Sequence, residues 1–150
     1  MTTLTPGRLL GALALLLFTL PAMAQSTPIG VWRTIDDETG EPKSHVRIYE
    51  RGGKLFGDVV QLLPTASNPE AVCSPCADEF EGGNLQGVVI LRDMAWDAGD
   101  QEFSGGRITD PKNGRTYRAY MKLEGPDRLR VRGFLGVRAL GRTQVWRRAP

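Results

Sequence analysis

Residues 105–148 read GGRITDPKNGRTYRAYMKLEGPDRLRVRGFLGVRALGRTQVWRR, and this stretch decides the fold. Two turn signals divide it, because Asp110–Gly114 combines proline with Asn-Gly and Glu124–Asp127 contains Gly-Pro. Apolar and polar residues alternate between the turns, most strictly from Arg128 to Arg132. Such alternation is typical of a strand with one buried face. The stretch therefore predicts four short consecutive strands, and arginine occupies many of their polar positions.

The residues before this stretch predict four more strands. Strand-forming residues cluster at residues 29–36, 43–50, 55–62 and 87–93. Eight evenly spaced short strands without helical periodicity indicate an all-β domain. Sequential hairpins favour an eight-stranded antiparallel up-and-down barrel, since closure leaves no exposed sheet edge. Closure would place residues 30–36 beside residues 142–147.

The first 24 residues predict a secretory signal peptide. Arg8 precedes an apolar run from Leu9 to Leu20, and Ala22-Met23-Ala24 provides the small residues that signal peptidase requires. The run is about 12 residues long, too short for the roughly 20 that span a bilayer. We therefore expect cleavage between Ala24 and Gln25. The product would be a single β-barrel domain of residues 25–150 in the periplasm or the medium, without a membrane span.

A long insert separates the third and fourth predicted strands, from Leu63 to Gln86. It is rich in proline, glycine and acidic residues, and loops of this length in small domains are often functional. Its centre holds the only cysteines, Cys73 and Cys76. An exported C-x-x-C pair is favoured as a structural disulfide, because the redox alternative requires a helix N-terminus that the pattern does not predict. A metal site is the third alternative, but zinc normally takes four ligands.

Other chemistry-bearing residues do not form a recognisable catalytic pattern. The only histidine, His45, lies in a strand pattern, and no serine or cysteine near it stands in a setting typical of a nucleophile. Asp36 and Asp37 lie in a run typical of turns, where aspartate caps backbone groups. The Gly-Gly pairs are typical of hairpins and strands rather than of phosphate loops. We expect no catalytic residue, no metal and no cofactor.

The charge is divided unequally along the chain. Residues 25–103 contain 6 basic and 14 acidic side chains, whereas residues 104–150 contain 12 basic and 3 acidic ones. One interpretation is that the two parts neutralise each other when the sheet closes. The other is a basic face that meets an anionic lipid, glycan or protein.

Arginine at alternate strand positions places several cations on one face of the sheet. An inward face could hold the head group of an anionic ligand, and an outward face could bind an envelope component. Nucleic acid is excluded as a partner if the protein is exported. The candidate ligand-binding residues on this face are Arg118, Arg128, Arg130 and Arg132.

Motifs along the mature chain resemble those of domain of unknown function 2147, a family of small exported bacterial proteins. The resemblance implies no activity. It rests on Gly30-x-Trp32-x-Thr34-x-Asp36-Asp37, Gly53-Lys54-Leu55-Phe56-Gly57, Cys73-x-x-Cys76, Gly106-x-Ile108-x-Asp110-Pro111-x-Asn113-Gly114 and Gly141-Arg142-Thr143-Gln144-x-Trp146.

The Gly30-Val31-Trp32 motif is also similar to the opening of calycin barrels such as the lipocalins. In those proteins a basic residue from the end of the chain stacks over the tryptophan. The similarity implies that Trp32 closes the barrel, with Arg142 or Arg147 as the cation and Arg148 as a further possibility. This role is structural.

The sequence favours a non-catalytic function, as a lipocalin-like module that binds a hydrophobic or anionic small molecule or an envelope component. One alternative is a thiol–disulfide redox protein that uses Cys73 and Cys76. Another is a structural or interaction protein that uses its basic face.

Overall fold

The computed structural model describes residues 26–150. The predicted signal peptide and its cleavage site between Ala24 and Gln25 lie outside the described residues. No helix in the described part of the chain is long and apolar enough to cross a membrane.

Eight antiparallel strands form one closed barrel, in which each strand pairs with its neighbours in sequence and the first strand pairs with the last. The predicted fold is confirmed, including closure between the first and last strands at Arg33 and Arg147. The fourth strand is longer than predicted and continues through Asp97. The strands are β1 (Gly30–Ile35), β2 (Pro42–Arg51), β3 (Lys54–Leu62), β4 (Val89–Asp97), β5 (Glu102–Asp110), β6 (Arg115–Leu123), β7 (Arg128–Phe134) and β8 (Gly141–Arg148).

The up-and-down topology gives the barrel two different ends. We call one the closed end; it carries the tight turns at residues 52–53, 98–101 and 124–127. We call the other the open end; it carries the longer connections at residues 36–41, 63–88 and 135–140 and the turn at 111–114.

Side chains from the strands fill the barrel interior towards the closed end. On β7, Leu129 and Val131 point inward and are buried, as the alternation predicted, while the arginines between them point outward. The largest fully buried side chains are Trp32, Trp146, Ile48, Leu91, Met94, Met121, Leu129, Val46 and Val131. Burial of this apolar surface supplies the main stabilisation of the fold.

Trp32 and Arg148 seal the closed end. The Arg148 guanidinium lies 4.3 Å from the centroid of the Trp32 ring, and it donates hydrogen bonds to the carbonyl oxygens of Thr27, Ile29 and Pro126. Gly30 lies directly beneath it with φ of +134°, and a Cβ there would approach an arginine nitrogen to 2.8 Å. Glycine at this position therefore lets the cation settle on the ring.

The prediction that Arg142 or Arg147 provides this cation does not match the structure. Arg147 points outward from β8 and is exposed. Arg142 lies at the opposite end of the same strand, where it pairs with Asp37 at 2.6 Å. Of these three arginines, Arg148 has the position and the direction to cover Trp32.

Charge neutralisation between the two parts of the chain occurs at few places. Arg142 pairs with Asp37, and Arg138 pairs with Glu102. Other ion pairs form within one part, such as Arg47 with Asp58. Closure of the sheet therefore leaves much of the basic part without acidic partners from the acidic part.

Candidate ligand-binding cavity

A cavity of about 710 Å³ occupies the open end of the barrel. Its walls are the ends of the strands, and the connections at residues 36–41, 63–88, 111–114 and 135–140 surround its mouth. The apolar lining comes mainly from alternate, inward-facing strand positions. These residues are Val59, Leu62, Ile90, Ile108, Val131 and Trp146, and Leu85 of the insert adds to the apolar lining.

Trp146 forms the floor of the cavity and separates it from the packed closed end. Its side chain is 1% exposed, and it belongs both to the core and to the cavity lining. The indole Nε1–H donates to the Gln144 side-chain oxygen at 3.1 Å. The floor therefore combines a large apolar surface with a polar group that already has a partner.

Two further polar pairs face the cavity. Thr34 and Ser44 are buried side by side on β1 and β2, and their hydroxyl oxygens lie 2.7 Å apart. Nearer the mouth, the Asn113 side-chain amide donates to the Tyr117 hydroxyl oxygen at 3.0 Å. Each pair satisfies its own hydrogen bonds and can exchange them with a polar group on a ligand.

Charged residues of both signs surround the mouth. Arg142 on β8 pairs with Asp37 in the β1–β2 connection, which raises the pKa of the arginine. Asp36 accepts backbone hydrogen bonds from Thr39 and Glu38 and pairs with Lys43 at 3.3 Å. The bond from the Thr39 amide is the largest of the effects that lower the pKa of Asp36 to about 2. The mouth is thus polar, without a dominant sign.

The insert at residues 63–88 folds over the mouth, and its irregular structure was expected. Backbone hydrogen bonds of 2.8 Å join Cys73 to Gly83 and Gly82 to Cys73. The Ala77 amide donates to the Pro111 carbonyl at 3.0 Å, which ties the insert to the β5–β6 turn. Cys73 is buried and lines the cavity. The insert is therefore part of the cavity wall.

A disulfide joins Cys73 and Cys76 within this insert. Glu81 accepts the Cys76 backbone N–H, so the short ring is held on both sides. The cysteines lie in irregular structure without the helix N-terminus that lowers a thiol pKa in redox enzymes. No cluster of three or more metal-ligating side chains occurs within residues 26–150. The geometry supports the structural bridge predicted from the sequence.

His45 does not belong to the cavity. It lies on β2 between the buried Ser44 and Val46, and it faces the other side of the sheet. Burial lowers its pKa, and the positive charge of Arg33 lowers it further.

The four arginines predicted to bind ligand are outside the barrel. Arg128 and Arg130 both pair with Glu124, at 2.7 and 3.2 Å. Arg132 donates to carbonyl oxygens of the β7–β8 connection, and Arg118 lies over the ring of Phe134. None of the four lines the cavity. The interpretation that these arginines form an inward site for a ligand head group is therefore wrong, because apolar residues occupy the inward positions of β7.

Sequence reasoning identified some of the cavity residues and missed others. Strand alternation places Val59, Tyr117, Met121 and Leu129 on the inward face; Val59 and Tyr117 line the cavity, whereas Met121 and Leu129 pack the closed end. Trp146 was missed. Its signal was strand alternation in β8, which predicts an inward direction but not the level within the barrel.

Comparison with known proteins gives a family and a fold. Residues 30–148 match the sequence model of a family described as uncharacterized protein conserved in bacteria (DUF2147). A solved structure is similar, that of protein HP1028 from the human pathogen Helicobacter pylori, described as belonging to the lipocalin family. The TM-score is 0.62 at 18% identity, with 81% of this chain and 82% of that chain covered, which shows the fold alone. No curated protein matches the chain.

Proposed function

We propose that this chain, which belongs to the family of uncharacterized proteins conserved in bacteria (DUF2147), is a non-catalytic protein that binds a small amphipathic molecule in its barrel. The cavity carries the proposal. Its volume of about 710 Å³ lies within the range of roughly 300–1,000 Å³ that small-molecule sites occupy. The lipocalin-like barrel supports the proposal as an analogy of fold.

The lining defines the class of ligand. Apolar side chains such as Ile90, Ile108 and Val131 form the wall, so an apolar body of the ligand would replace water there. The Thr34–Ser44 and Asn113–Tyr117 pairs offer a few polar contacts. Charges of both signs at the mouth suit a polar end that stays near solvent. A ligand with an apolar body and a polar end fits the apolar wall, the two polar pairs and the charged mouth.

Export is part of the proposal. The N-terminal pattern of a basic residue, an apolar run and Ala22-Met23-Ala24 supports it. N-terminal sequencing of protein from the periplasm or medium should begin at Gln25. Recovery of the intact N-terminus from the cytoplasm alone would contradict export without affecting the cavity.

The binding test uses 1-anilinonaphthalene-8-sulfonate, a fluorescent amphipathic dye. Ile108→Trp adds bulk inside the cavity, and Gln61→Trp adds the same side chain at an exposed position on β3. We expect the dye to bind the wild type and Gln61→Trp equally, and Ile108→Trp at least tenfold more weakly. Native mass spectrometry of protein purified from its own source should show a co-purifying molecule that Ile108→Trp lacks. Equal dye binding by the two variants, with no co-purifying molecule, would overturn the proposal.

A further inference from the structure

Three arginines form a row across the outer wall of the barrel. Arg92 on β4 pairs in register with Arg107 on β5, and Arg107 pairs with Arg118 on β6. All three side chains are exposed. Directly opposite residues on antiparallel strands lie about 5 Å apart, and like charges there destabilise the sheet. The arrangement therefore lowers the stability of the sheet, and nothing in the fold alone explains why three arginines lie side by side.

The arginine row has no acidic partner in the described part of the chain. Ion pairs within 4 Å hold several other arginines, such as Arg128 with Glu124, but none involves the three in the row. Arg92 and Arg107 line a depression in the outer wall that Glu79 and Asp93 also border, and Asp93 lies 3.8 Å from Lys54 instead. Three guanidinium groups consequently lie side by side on this wall, and no carboxylate of the described residues lies within 4 Å of them.

An exposed apolar loop adjoins the row. Arg118 lies opposite Phe134 on β7, with its guanidinium 5.5 Å from the ring centroid, and the β7–β8 connection follows Phe134 directly. We call Leu135, Val137 and Leu140 the apolar loop; these side chains are 55, 58 and 70% exposed. They are three of the five large apolar side chains that are exposed in residues 26–150.

The apolar loop is held in its outward position. Arg132 donates to the carbonyl oxygens of Arg138 and Ala139 at 2.8 and 3.0 Å, and the Arg138 side chain turns back to Glu102. Leu135 and Leu140 also border the mouth of the cavity. The loop thus presents apolar side chains to the outside at the place where a ligand would enter.

We propose that the arginine row and the apolar loop together dock the open end of the barrel on an anionic lipid bilayer. Arginine near such a surface is attracted to the phosphate groups of anionic lipids. Leucine and valine beside the cations can enter the boundary between head groups and acyl chains. A soluble polyanion would match the row but leave the apolar loop in water, so a bilayer matches both features. Docking does not depend on whether the cavity holds a ligand.

The test is co-sedimentation of the full mature chain with vesicles. The wild type should bind vesicles of phosphatidylglycerol and phosphatidylcholine, bind phosphatidylcholine alone much more weakly, and detach as salt rises. Arg107→Gln/Arg118→Gln should weaken binding about thirtyfold, since each arginine near the surface contributes roughly fivefold. The matched control is Arg128→Gln/Arg130→Gln, which removes the same formal charge from cations that already have a partner. It should retain binding within about threefold of the wild type, as should Ile108→Trp.

A third variant, Leu135→Ser/Leu140→Ser, tests the apolar contribution. It should bind the anionic vesicles at least tenfold more weakly while keeping the salt dependence of the wild type. Equal losses in the two arginine double variants would show that net charge alone acts, and would overturn the assignment to the row. The proposal would also be overturned by the wild type alone, if it fails to bind anionic vesicles or binds both kinds of vesicle equally. Loss of dye binding in Ile108→Trp with vesicle binding retained would separate docking from the cavity function.

Discussion

The two ends of this barrel are built from the same eight strands but have different interiors. At the closed end, Trp32, Leu129 and their neighbours fill the interior, and Arg148 covers the last opening. At the open end, equally regular strands surround about 710 Å³ of space beneath an insert held by a disulfide. The strands therefore provide the frame at both ends, and the side chains at each level decide whether that frame encloses a core or a cavity.

If the cavity binds a ligand as proposed, this difference separates the residues that determine stability from those that determine affinity. Side chains at the closed end contact partners on all sides, so their removal leaves an empty volume that the surroundings cannot fill. Side chains around the cavity already face open space on one side. Truncations at the closed end should therefore mainly lower the free energy of unfolding. Truncations around the cavity should mainly lower the affinity for ligand.

Truncation of one leucine at each end gives the largest expected difference. Leu129→Ala removes a fully buried side chain at the closed end, and we expect it to lower the free energy of unfolding by about 2–5 kcal/mol. Leu62→Ala removes a partly buried side chain that lines the cavity, and the expected loss is about 1 kcal/mol or less. Urea unfolding measures both values, and dye titration should show the larger loss of affinity for Leu62→Ala. Similar unfolding energies for the two variants would contradict the division between the ends.

The seal over Trp32 should have the next largest effect. Arg148→Gln removes the cation from the ring and its hydrogen bonds to three carbonyl groups, and we expect a loss of about 2 kcal/mol. Arg147→Gln is the matched control, because its side chain is exposed on the same strand. We expect it to change stability by less than about 0.5 kcal/mol. If thermal unfolding shows equal losses for the two variants, Arg148 does not seal the barrel.

The architecture could be predicted from the sequence because the patterns that determine it are local. Turn residues such as Asn113-Gly114 and the alternation from Arg128 to Arg132 each specify short segments, and sequential hairpins then leave one simple topology. The cavity was not accessible, since alternation gives the direction of a side chain but not its level. Trp32 and Trp146 have the same inward pattern, yet one lies beneath the seal and the other forms the cavity floor.

The arginine row is a second feature that could not be predicted from the sequence. Arg92, Arg107 and Arg118 lie on three different strands, and only the pairing register brings them side by side. A slip of one residue would move each to the other face, so no sequence pattern could identify the row. By contrast, the stripe of Arg128, Arg130 and Arg132 was evident in the sequence, but the structure supplies these arginines with partners.

The smallest predicted effect tests how the mouth of the open end is held. Asp36 accepts the Thr39 and Glu38 backbone amides and pairs with Lys43, which lowers its pKa from 3.8 to about 2. A carboxyl group whose pKa is lowered by folding stabilises the protein fully above its unfolded pKa. That contribution is lost as pH falls from 3.8 through about 2.

Asp36→Asn keeps an acceptor for the backbone amides but cannot ionise. We expect its loss of stability between pH 5 and pH 2.5 to be smaller than that of the wild type by on the order of 1 kcal/mol, after allowance for solvent screening. Urea unfolding at the two pH values measures the difference, with Glu38→Gln as a control that should behave like the wild type. The pH dependence of dye affinity should differ more between the wild type and Asp36→Asn than the pH dependence of the free energy of unfolding does, because the β1–β2 connection borders the cavity. Identical pH dependence in wild type and Asp36→Asn would show that this carboxylate does not hold the mouth.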